Sequence, residues 1–146
     1  MKILLVISLL TSSTFSFALE SNLAGNSNGA QVFNKAQVTF VSAAQQFDGS
    51  WCFNTSVKHN DEGWKHYANG WEILDIEGKQ LWERPLTHPH VNEQPFTRRL
   101  CDIYIPSDIK KLVVRAKCNQ HGTGDKTITL DLTTTQGLGY EVKRFD

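Results

Sequence analysis

Methionine is all but absent from this sequence. The initiator is the only one, so thioether coordination of Cu(I) is closed to a processed chain. An excess of charge is missing as well: 15 Lys and Arg stand against 15 Asp and Glu. Dense basic pairs are limited to Arg98-Arg99, Lys110-Lys111 and Lys143-Arg144. Phosphate binding needs clustered cations that release counterions, so nucleic acid is excluded as a partner. There is no GxSxG elbow, and HGTGDK lacks Walker spacing and a βαβ setting, which removes the usual nucleophile and phosphate-loop chemistries. No 3.6-residue period is sustained and no repeat recurs.

Long apolar runs are missing too. The one notable run, Ile3 to Leu10, lies in MKILLVISLLTSSTFSFA behind the single basic residue Lys2. It is shorter than the roughly 20 residues a membrane span needs, and it predicts a secretory signal peptide over residues 1–18, cut after Ala18. Losing Lys2 leaves 14 basic and 15 acidic residues. No cysteine follows the cut, so no lipid anchor is expected, and a periplasmic or secreted protein is. Residues 19–34 are rich in Asn, Ser and Gly and read as a flexible leader. Residues 35–146 then form one domain.

Within that domain, short alternating apolar stretches are separated by Gly, Asp, Asn or Pro. KAQVTFVSAA, FDGSWCFNTSVKH, the hairpin WEILDIEGKQLWERPL, residues 96–105, KKLVVRAKC and TITLDLTT give about seven strands. An antiparallel β-sandwich of immunoglobulin or fibronectin III type is the expected fold. NDEGWKHYANG carries two turn signals, at Gly63 and at Asn69-Gly70, and has room for one helical turn. The tail QGLGYEVKRFD is expected either to add an edge strand or to fray.

Three cysteines imply one disulfide and one free thiol. Period-2 alternation groups Cys101 with Ile103 and Ile105, and Cys118 with Leu112, Val114 and Ala116, while Cys52 alternates out of phase with Trp51 and Phe53. The favoured pair is therefore Cys101 with Cys118. Cys52 with Cys118 is the alternative, as the inter-sheet bridge of an immunoglobulin domain.

Five histidines are the chief source of chemistry. His88 and His90 bracket Pro89, which holds an extended or turn geometry and sends both rings the same way. Such a pair can chelate one ion, with Glu93 as an oxygen ligand or as a hydrogen-bonding support. His59 at a strand end, His66 in the next loop and His121 in a late turn can converge at one end of a sandwich. His with carboxylate favours Cu(II) or Zn(II) over Cu(I). A thiolate joins the set if a cysteine stays reduced, and Cys118, three residues before His121, is the better placed. Taken singly, each histidine reads as an ordinary surface residue.

Trp64 and Tyr67 beside His66, with Phe96, offer a surface for a protein or glycan, although such aromatics more often seal one end of a sandwich. Asp61, Glu62 and Glu93 could pair for hydrolysis, but nothing fixes their spacing. His-x-His-x-x-Glu departs from the cupin motif in its gap to Glu93 and has no second half.

DEGWKHYANGWEILDIEGKQL, HPHVNEQPFTRRL and VVRAKCNQHGTGDK, in this order, resemble an uncharacterised family of small exported bacterial β-sandwich proteins, over about Phe40 to Leu132. HPHVNEQPFTR, with Asn or Asp at its fifth position, is the most specific part. The resemblance implies a common site built from His59, Trp64, His66, Tyr67, His88, His90 and His121. This chain differs from the family at Cys101 and Cys118, so a cysteine-based function does not carry over. Two readings result: an exported metal-binding protein, with His88 and His90 as primary ligands, and a noncatalytic interaction module for a periplasmic protein or a glycan. A metal-dependent enzyme would also need an open ligand position and a base such as Glu93, and the sequence shows neither.

Overall fold

A computed structural model describes residues 33–145; the expected signal peptide and most of the expected leader lie outside them. Ten strands and no helix make up the described chain: β1 (Gln37–Gln45), β2 (Trp51–Lys58), β3 (Ala68–Leu74), β4 (Gln80–Pro85), β5 (Phe96–Ile103), β6 (Lys111–Cys118), β7 (Gly122–Thr123), β8 (Ile128–Asp131), β9 (Gln136–Gly137) and β10 (Tyr140–Lys143). One sheet runs β5-β2-β1-β10-β9, and the other runs β4-β3-β6-β7 with β8 also on β6. Every pairing between strands is antiparallel except β1 with β10. The expected tail strand is thus real and lies within the sheet, flanked by β1 and β9.

The sheets share one core. β2 alternates Trp51, Phe53, Thr55 and Val57 inward, and β6 does the same with Leu112, Val114, Ala116 and Cys118. The turn before β2 is fixed by Asp48, whose Oδ1 accepts from the Ser50 N–H and hydroxyl, with Gly49 at φ 86°. In the β3–β4 hairpin, Asp75 Oδ1 accepts from the N–H groups of Glu77 and Lys79.

Four sequence expectations change. Asn69-Gly70 is no turn: both lie inside β3, where Gly70 admits the Lys117 side chain, 2.9 Å from where a Cβ would stand. The segment with room for a helical turn instead folds back through a lone bridge between Gly63 and His66. Phe96 is a core residue, not a binding surface, because it pairs with Val57 on the inward phase of β2.

The fourth is the disulfide, which joins Cys52 to Cys101. A bulge breaks the alternation of β5: Trp51 pairs with Ile103 and Phe53 with Leu100, so Cys101 and Asp102 together face Cys52, and Asp102 takes φ 58°. The extra residue moves Cys101 off the core phase of Ile103 and onto the outward phase of Cys52. Cys118 is left as a buried free thiol.

Candidate metal centre

One end of the two sheets gathers the segment before β1, the end of β2 with the loop after it, and the β6–β7 turn. His59 follows the last residue of β2 and keeps its inward phase, so its ring is buried. His66 is brought in by the Gly63–His66 bridge and is buried as well. Cys118 closes β6 opposite Ala68. One ligand atom from each of these three residues lies within 4.8 Å of the others.

His121 approaches from the solvent side. Its Nδ1 is 3.1 Å from His66 Nε2 and 3.6 Å from Cys118 Sγ. Gly122, at φ 66°, turns the chain directly after it. The main-chain N–H of His121 also donates to Cys118 Sγ at 3.1 Å. Around a tetrahedral ion with bonds of about 2.0–2.3 Å, neighbouring ligands stand about 3–4 Å apart, the range in which His121 Nδ1 lies from His66 Nε2 and Cys118 Sγ.

The far nitrogens of two rings are held by carboxylates. His59 Nδ1 lies 2.5 Å from Asp61 Oδ1, and His66 Nδ1 lies 3.0 Å from Glu62 Oε2. Carboxylates at that position fix the tautomer and the orientation of a ligating imidazole. Burial works to raise the Asp61 carboxyl, but hydrogen bonds from His59 and from the N–H groups of His90 and Ala68 outweigh it and hold Asp61 below the usual carboxylate range.

HPHVNEQPFTR sits beside this cluster rather than in it. Gln94 Oε1 accepts from the main-chain N–H of His59, and Gln94 Nε2 donates to the carbonyl of His90. The His90 N–H donates to Asp61 Oδ2 at 2.7 Å. The His90 ring is buried and stacks on Phe96 at 3.8 Å between centroids, with neither nitrogen hydrogen-bonded. Burial, with Arg98 and His88 adding to it, holds that imidazole below its usual value against the pull of Asp61 and Glu93. His88 is exposed, and Glu93 is engaged with Arg98, whose hydrogen bonds lower its carboxyl.

The expected histidine set therefore divides. His59, His66 and His121 come together with Cys118, whereas His88, His90 and Glu93 form a neighbouring turn. The supporting role of Asp61 was not drawn from the sequence, although its place two residues after His59 is a usable signal, as is that of Glu62 four residues before His66. Trp64, expected to seal the sandwich, is 68% exposed and meets Tyr67 edge to face at 5.9 Å, since the short loop turns its ring outward.

No protein-family model matches the chain, and no solved structure matches it. A protein of Halomicrobium mukohataei named "Putative lipoprotein" is 33% identical over 79 residues, which is 54% of this chain and 38% of that protein. The chain thus matches less than half of that relative's length.

Proposed function

We propose that this chain is an exported protein that holds one copper or zinc ion on His59, His66 and Cys118, with His121 as the solvent-facing donor. A convergence of lone pairs carries the reading. A neutral imidazole has one N–H. With Asp61 and Glu62 drawing those protons to Nδ1, the Nε2 lone pairs of His59 and His66 turn toward the Asn34 carbonyl oxygen, at 3.0 and 3.4 Å. Acceptors facing one another call for a cation between them, and imidazole with thiolate suits copper and zinc alike.

Export is supported by the signal-like start of the sequence, by the Cys52–Cys101 disulfide, which belongs to oxidising compartments, and by the name of the Halomicrobium relative. No helix among the described residues is long and apolar enough to cross a membrane. We read the paired sheets as an immunoglobulin or fibronectin III type of sandwich, with the site in its end loops. In the family that the sequence resembles, HPHVNEQPFTR would act as the brace of the site through Gln94 and Asp61.

The test is elemental analysis of the untagged mature protein after loading with substoichiometric copper or zinc and removal of free ion. One ion per chain is expected, lost in His66→Ala and Cys118→Ala and kept in His88→Ala. Loss in His88→Ala alone would move the ion to the HPH turn, and no retention by the parent chain would end the metal reading. The exposed Trp64 beside Tyr67 supports a second reading, a contact surface for a protein or glycan at the same end. It predicts partner binding that is unchanged by chelator and lost in Trp64→Ala.

A further inference from the structure

We infer that the main-chain carbonyl of Asn34 is itself a donor to the bound ion, so that loading the site staples the segment ahead of β1 to the sandwich. The inference rests on the metal reading above and adds a ligand to it.

Asn34 O lies 3.0 Å from His59 Nε2, 3.4 Å from His66 Nε2 and 3.6 Å from Cys118 Sγ. An ion drawn between those three atoms at about 2.0–2.3 Å has this oxygen close at hand. Two imidazoles and a thiolate with a main-chain oxygen as a weaker, longer ligand is an established copper arrangement.

Ligation also leaves the carbonyl with few other options. Once both Nε2 atoms and Sγ are ligands, none carries a hydrogen to offer it. The oxygen then faces lone pairs and a thiolate at hydrogen-bond distance, and it must either bind the cation or leave.

Separate contacts hold it in place. The Asn60 N–H donates to the Phe33 carbonyl at 3.0 Å, and the Lys58 ammonium lies 4.4 Å from the centre of the Phe33 ring. Ala36 is fully buried against Gly124, where a Cβ would stand 1.7 Å from the Ala36 carbonyl oxygen. The oxygen is therefore presented to the site from both sides along the chain.

Trypsin cleavage after Lys35 reads this directly, because the bond lies one residue from Asn34 and its other side, Ala36, is buried. The mature, disulfide-bonded chain would be digested with and without one equivalent of Zn2+, with cleavage after the exposed Lys79 as the internal control. Zinc should slow cleavage after Lys35 by about tenfold or more, since an ion that binds the docked segment lowers the open population. Cleavage after Lys79 should not change, and the protection should vanish in Cys118→Ser. Unchanged or faster cleavage after Lys35, with one zinc retained per chain, would show the carbonyl displaced and overturn the inference while leaving the metal site intact. Where zinc is not retained the same digestion is read with one equivalent of Cu2+, and retention of neither ion would overturn both.

Discussion

His59 Nδ1 and Asp61 Oδ1 lie 2.5 Å apart, with both side chains wholly withdrawn from solvent. The other Asp61 oxygen accepts from the His90 N–H. One buried carboxylate thus sets the orientation of a candidate ligand and anchors the HPH turn. A ring held this way presents Nε2 in a single direction, which is what a metal site requires of a ligand.

Asp61→Asn is expected to disturb both functions. An amide NH2 would replace one oxygen and oppose either the His59 ring or the His90 N–H. Ion affinity should fall about 10- to 100-fold, as for other supports of ligating histidines. Urea melts in chelator should show a loss of about 1.5–3 kcal/mol, the scale of a hydrogen bond to a charged group.

The thiol inventory follows from the bulge in β5. The denatured, unreduced protein should react with one equivalent of thiol reagent, at Cys118, and peptide mapping should link Cys52 to Cys101. Cys101→Ser should cost about 2–4 kcal/mol by freeing a long loop in the unfolded chain, while ion retention persists. A link that includes Cys118 would contradict the fold and remove the thiolate from the site.

His90 gives a pH dependence of known sign. Its value in the folded protein lies below the ordinary 6.5, with burial the largest cause, so the unfolded chain takes up that proton first as pH falls. The contribution is whole above about pH 6.5 and is lost as pH drops through the folded value. Ring NMR in chelator should place the His90 midpoint below 6.5. His90→Phe, which keeps the stack on Phe96 and removes two nitrogens without partners, should gain stability relative to the parent chain as pH falls below about 6.5. A parallel fall in the two proteins would count against it.

Gly124→Ala tests how closely the segment before β1 must dock. The new Cβ would meet the Ala36 carbonyl oxygen at 1.7 Å, so backbone has to move. A stability loss of about 1–3 kcal/mol is expected, the scale of overpacking. Ion affinity should weaken as well, because the displaced segment carries Asn34. Calorimetry on the zinc-loaded and metal-free variant reads both effects.

The sequence by itself determined the all-β class, the inward phase of β2 and β6, the outward phase of Cys52 and the histidines worth watching, because period-2 alternation and turn chemistry are local properties. Even the pairing of His121 with Cys118 was legible, being a matter of three residues in one turn. What joined His59 and His66 to that turn was decided by tertiary structure: β1 runs antiparallel to β2, and β3 pairs with β6, so the start of β1, the end of β2 and the end of β6 meet at one end of the molecule. The disulfide went the same way. A single left-handed residue, Asp102, shifts the phase of β5 and turns Cys101 toward Cys52, and alternation counted along one strand carries no trace of a residue inserted against its neighbour. HPHVNEQPFTR looked like a chelating turn because its side chains are of ligand type. Folding put its main chain and Gln94 to use instead, as the support of Asp61 and His59, since burial beside Phe96 left the His90 ring no route to the cluster.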